Sequence, residues 1–154
     1  MAKINGLTHC SFRTNHFDEM VHFYRDILEL PHLFTLRNED GSVWIEYLKI
    51  APREFIELFN ERYTGDNNWR NRAHQHICLM VEDIVEAARS LEAKGVMICH
   101  GPIMENPPYR IPYEIDHSRG KCNSYGFFVH DPEGNEIEFM QYTDESLQVV
   151  NDHD

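Results

Sequence analysis

One order of elements is written twice in this chain, and that repetition limits the possible folds more than any other feature. The first half opens on a strand-like run, residues 4–13, in which His9, Ser11 and Arg13 alternate with Cys10 and Phe12. The spacing then predicts a helix over 17–28. Phe17, Met20, Val21, Tyr24 and Leu28 form its buried stripe, with Asn15 as cap and Pro31 closing the segment. Three strands are expected next, over 32–37, 42–50 and 54–59. They are joined by turns at 38–41, where Gly41 can take a positive φ, and at 51–53. A polar stretch reads as a linker. The pattern restarts with a strand over 74–81 and a helix from the Asp83 cap to about Lys94, whose stripe is Ile84, Ala87, Ala88 and Leu91 and whose stop is Gly95. A short strand over 96–99, a proline-rich segment over 101–121, a strand over 125–129, a tight turn at 131–134 and a strand over 136–142 complete it. The acidic tail after Thr143 is expected to fray.

The expected class is therefore α+β: two paired βαβββ modules forming a curved mixed sheet around a cleft. The 154 residues read as one domain, with modules over 1–60 and 74–143, a linker over 61–73 and a tail over 144–154. One such module cannot bury its sheet alone, and the seam between two is the natural place for a site.

The formal net charge of −12 repels phosphate backbones and anionic headgroups, so nucleic acid and membrane are not expected partners. No apolar stretch at the N-terminus is long enough for a signal peptide or a membrane span, and the protein is expected in the cytoplasm. Cys10, Cys78, Cys99 and Cys122 form no C-x-x-C pair and read as small buried thiols of a reducing compartment.

The two halves also repeat their chemistry. Each first strand carries a histidine, His9 and His76, and each last strand a glutamate, Glu57 and Glu138, within Ile-Glu followed by Leu or Phe. The extra length between His76 and Glu138 is accounted for by the 101–121 segment. A single His or Glu on a strand is more often a surface or hydrogen-bonded residue than a ligand. Two equivalent pairs in two repeats shift the balance towards one divalent metal (Ni, Zn, Mn, Fe or Co) held by His9, Glu57, His76 and Glu138. Four donors leave two octahedral positions open, enough for a substrate to chelate through vicinal oxygens while a carboxylate moves a proton.

These residues resemble the vicinal-oxygen-chelate superfamily, the glyoxalase, bleomycin-resistance and dioxygenase group. The resemblance rests on His9 with Arg13, on Phe23-Tyr-Arg-Asp-Ile-Leu-Glu-Leu30, on His76-Ile-Cys-Leu-Met-Val-Glu-Asp83, on Leu91-Glu-Ala-Lys-Gly-Val96 and on Asp131-Pro-Glu-Gly-Asn-Glu-Ile-Glu138. The family's usual glycine is Glu29 here. Bacterial-type lactoylglutathione lyases are the nearest group within it. The resemblance implies a homodimer and an enediolate isomerisation in which Glu138 and Glu57 are both ligands and candidate catalytic bases. It places Arg13 and Arg72 as substrate-binding residues by guanidinium–carboxylate pairing, with surface salt bridging an equal alternative for Arg72. The family's asparagine falls at Glu61 and its lysine at Ser124, departures that count against glutathione itself.

The expected function is thus a metal-dependent lyase or isomerase acting on a small carbonyl or α-hydroxycarbonyl substrate. An epimerase, an extradiol dioxygenase and a non-enzymatic small-molecule binder are the alternatives. The dioxygenase and the fosfomycin thiol transferases would leave Glu57 superfluous. His74 reads equally as a support to the metal site or as a solvent-facing residue, and His100, His117 and His130 as surface or substrate-facing. The 101–121 segment reads as a lid, a packed arm or a dimer contact. Trp44 and Trp69 are expected to anchor core and linker.

Overall fold

A computed structural model describes residues 4–65, 73–99 and 119–152. The chain divides into two compact units, residues 1–66 and 67–154. Both realise the expected α+β architecture.

In the first unit the elements are β1 (His9–Arg13), α1 (Phe17–Val21), a π-helical turn (His22–Ile27), β2 (His32–Arg37), β3 (Val43–Ala51) and β4 (Glu54–Phe59). The sheet order is β1-β4-β3-β2. β1 pairs parallel to β4, while β3 is antiparallel to both its neighbours. A parallel pair needs a crossover, and the helix with the β2–β3 hairpin supplies it. The helix buries Met20, Val21, Phe23 and Tyr24. The π turn, closed by the Leu28 amide on the Phe23 carbonyl at 2.9 Å, adds one residue to the turn and brings Phe23 inward beside the expected stripe. Tyr24 stacks on Phe12 at 5.9 Å, with Leu48, Ile56 and Leu58 fully buried.

Asn15 is not the helix cap. The N-cap is His16 without a side-chain cap bond, and Asn15 instead exchanges two hydrogen bonds with the Tyr63 backbone. β1 is also shorter than the apolar run suggests, because Ile4 and Leu7 lie exposed before it. The 51–53 turn holds Arg53 at φ 68° immediately after Pro52, a backbone setting in which glycine is preferred after proline.

The second unit contains β5 (His76–Met80), α2 (Ile84–Ala93), β6 (Tyr125–His130), β7 (Glu136–Gln141) and α3 (Leu147–Asn151), with sheet order β5-β7-β6. β5 and β7 are parallel, as β1 and β4 are. The Asp83 carboxylate accepts the Val85 and Glu86 amides, and α2 buries Ile84, Ala88 and Leu91. It stops at Gly95, φ 83°, where the Val96 amide returns to the Leu91 carbonyl. The strand expected over 96–99 is reduced to one bridge, Cys99 with Phe128. In the 131–134 turn the Asp131 carboxylate, 4% exposed, accepts the Glu133 and Asn135 amides and the Asn135 side chain.

The tail does not fray where it was expected to. Ser146 is fully buried on Ser124 at 2.9 Å, and the Leu147 amide reaches the Cys122 carbonyl. Among the described residues no helix is long and apolar enough to cross a membrane.

Replacing Arg53 with glycine should raise unfolding free energy by about 1 kcal/mol, the cost of a left-handed side-chain-bearing residue. Asp131→Ala should lower it by about 3 kcal/mol, since three donors lose their acceptor. Urea unfolding of both variants checks these signs.

Candidate metal-binding pairs

Parallel pairing sets the position of each candidate donor. In the first unit His9 stands opposite Phe55 and Ser11 opposite Glu57. In the second, His76 stands opposite Glu136 and Cys78 opposite Glu138. In both, the glutamate lies two residues beyond the partner of the histidine, on the same face of the sheet. The repeat seen in the sequence is therefore a repeat of register.

The side chains meet accordingly. His9 Nδ1 lies 3.6 Å from Glu57 Oε1, and His76 Nε2 lies 3.1 Å from Glu138 Oε2. Both carboxylates are largely withdrawn from water, their side chains 8% and 16% exposed. Among the described residues neither meets a lysine or arginine. A desolvated carboxylate without a cation is costly, and a metal ion is one way to offset that cost.

Glu57 is held by the Ser11 hydroxyl, which donates to Oε2 at 2.5 Å. The Tyr47 hydroxyl faces the same carboxylate, and its pKa is pushed above the usual phenol range by that hydrogen bond and, secondarily, by burial. Thr8 Oγ1 contacts the same His9 Nδ1 at 3.1 Å. The second imidazole faces its glutamate through the opposite nitrogen, and its buried Nδ1 has no hydrogen-bond partner among the described residues.

Imidazole nitrogen with carboxylate oxygen suits divalent Zn, Ni, Fe, Mn or Co, so the donor chemistry of each pair fits such an ion. Each unit supplies two donors. Among the described residues, no group of three or more His, Cys, Asp or Glu side chains is gathered to hold a metal.

Arg13 is exposed at the end of β1 on the face of His9 and Ser11 and makes no ion pair among the described residues. Arg72, Trp69, His100, His117 and nearly all of the 101–121 segment lie outside the described residues. His74 is exposed ahead of β5 and does not partner His76 Nδ1. His130 lies 3.9 Å from the buried Glu136. Trp44 is not core: it is 38% exposed and donates to Glu61 at 2.7 Å, which engages the residue standing in place of the family's asparagine. Ser124, in place of its lysine, is buried.

The sequence reading placed Ser11 on the right face but gave it no role, and it missed Tyr47 and Cys78. All four cysteines are free, but only Cys99 is buried; Cys78 is exposed. Counting by twos from His76 puts Cys78 on the same face, but only the strand register sets it opposite Glu138.

The model of the Glyoxalase/Bleomycin resistance protein/Dioxygenase superfamily matches residues 6–139, and the chain belongs to that superfamily. A lactoylglutathione lyase from Agrobacterium tumefaciens is 20% identical with a TM-score of 0.61, the match covering 91% of this chain and 96% of that one. The trypanothione-dependent glyoxalase I of Leishmania major is 20% identical, TM-score 0.60, over 90% of this chain and 87% of the other. An antibiotic-binding protein from Streptomyces is 14% identical, TM-score 0.59, over 93% and 100%. At these identities the likeness is one of fold, which carries enzymes and a binding protein alike. No curated protein matches the sequence significantly.

The thiols give a test of the local electrostatics. Burial of its sulfur, then the charge and hydrogen bond of Glu138, push the Cys78 thiol up to about 12. Burial also acts on Cys122, but hydrogen bonds with Ser124 and Gln148 outweigh it and hold that thiol below its ordinary value. Because the thiolate is the nucleophile, iodoacetamide at pH 8 should label Cys122 before Cys78, despite the exposure of Cys78. Peptide mapping reads the order; faster labelling of Cys78 contradicts this account.

Proposed function

We propose that this chain is a metal-dependent lyase or isomerase of the glyoxalase type, acting on a small carbonyl or α-hydroxycarbonyl compound. One observation carries the reading: two His–Glu pairs occupy equivalent positions in equivalent parallel strand pairs, each with a carboxylate mostly withdrawn from water that meets no lysine or arginine among the described residues.

In this reading His9, Glu57, His76 and Glu138 together hold one divalent ion, drawn from one chain or from two copies of it in a homodimer. The ion supplies Lewis-acid polarisation of a substrate oxygen. Glu138 and Glu57 act on the proton: one carboxylate takes it from carbon and returns it to the neighbouring carbon. Their burial keeps competing water away from that transfer. Arg13, extended from the same face and free of ion pairs among the described residues, binds a substrate carboxylate through its two-pronged guanidinium. Arg72 has the same role in this proposal. The protein works in the cytoplasm, on a small molecule.

The test is metal analysis of the purified protein together with a hemithioacetal isomerisation assay after nickel or zinc loading. We expect one ion shared by the two pairs. Glu57→Ala and Glu138→Ala should each lose metal and lower kcat by about 100-fold or more. Metal content that survives both substitutions refutes the assignment.

A further inference from the structure

We propose that the residue two places after each histidine, Ser11 in the first unit and Cys78 in the second, is a positioning residue that holds the glutamate opposite it so that the carboxylate faces the imidazole. The inference deepens the metal reading above and rests on it for its consequence in affinity.

The geometry is the same in both units. Ser11 is the Cα partner of Glu57 and Cys78 the Cα partner of Glu138. The clearest case is Glu57, whose two oxygens have separate duties. Oε2 accepts the Ser11 hydroxyl at 2.5 Å, and Oε1 is turned towards His9 Nδ1 at 3.6 Å. A glutamate has several rotatable bonds, and only a fixed donor keeps one oxygen aimed at one point. On the far side of Glu57 stands Tyr47, its cross-strand partner on β3. The Tyr47 ring is stacked on Phe34 at 4.2 Å, which limits its motion.

The second unit gives weaker support. Glu138 faces a thiol, a poorer donor than a hydroxyl, and its β6 partner is Phe128, which has no donor at all. The first carboxylate accepts the Ser11 hydroxyl, and the second stands across the strand pair from the Cys78 thiol, in otherwise matching frames. Loss of the donor should matter more at Ser11 than at Cys78.

The experiment measures cobalt(II) affinity by competition with a chromophoric chelator, and the visible spectrum of the bound cobalt, in the full chain. Ser11→Ala should weaken binding by about 10- to 100-fold and shift the cobalt bands. Ser11→Thr, which restores a hydroxyl, should recover both, and Cys78→Ala should lose less. If Ser11→Ala does not fold, Ser11→Cys installs the donor of the second unit and should give an intermediate loss. Wild-type affinity and spectrum in Ser11→Ala, or in Ser11→Cys where that variant is used, overturn the proposal. Carboxyl carbon NMR of the metal-free protein separates this from the reading beneath it. The Glu57 signal should move in Ser11→Ala and return in Ser11→Thr, whether or not cobalt binds. No cobalt uptake by the wild-type chain, together with that movement in Ser11→Ala, refutes the metal reading and supports the positioning role; an unmoved Glu57 signal refutes the positioning role.

Discussion

The parallel pairing of first and last strand within each unit is the constraint from which the rest follows. It sets β1 beside β4 and β5 beside β7 in one shared register. That register puts an imidazole and a carboxylate on one face, two residues out of step, close enough to meet. A slip of one residue would turn either side chain to the opposite face, where in the first unit Phe12, Ile56 and Leu58 pack beneath the helix. The apolar face thereby determines where the polar face presents its donors. The intervening hairpin and helix act as the crossover that makes a parallel neighbour reachable.

What that face presents is an electrostatic problem. In each unit it carries one carboxylate mostly withdrawn from water, in a chain whose formal net charge is −12. Hydroxyl, phenol, thiol and imidazole groups support them, and among the described residues no ammonium or guanidinium does. Neutral donors orient a carboxylate but leave its charge in place. A divalent cation would answer that charge.

Much of this fold was legible because its signals are local. Strict alternation in β1, the Asp83 cap with its inward stripe, and the glycines at 41, 95 and 134 each fix a short piece of backbone, and each behaves as expected. What failed depended on distant partners. Asn15 looks like a cap until Tyr63 takes its side chain. The acidic tail looks solvated until Ser146 finds Ser124. The 96–99 segment has strand composition, yet only Cys99 pairs. Periodicity of 3.6 residues cannot register the extra residue of a π turn, so the burial of Phe23 went unseen. At the site, the histidines and glutamates were legible from the repeat. Ser11, Tyr47 and Cys78 were not, because what singles them out is the cross-strand neighbour and not their own local sequence.

The central claim is that the two His–Glu pairs share a single ion. Its most direct test is a crystal structure of the nickel- or zinc-loaded protein with anomalous data collected at the metal edge. The account predicts one strong peak at about 2.0–2.2 Å from imidazole nitrogens and carboxylate oxygens of both pairs. A peak on other side chains, or two separate ions each held by one pair alone, would contradict it.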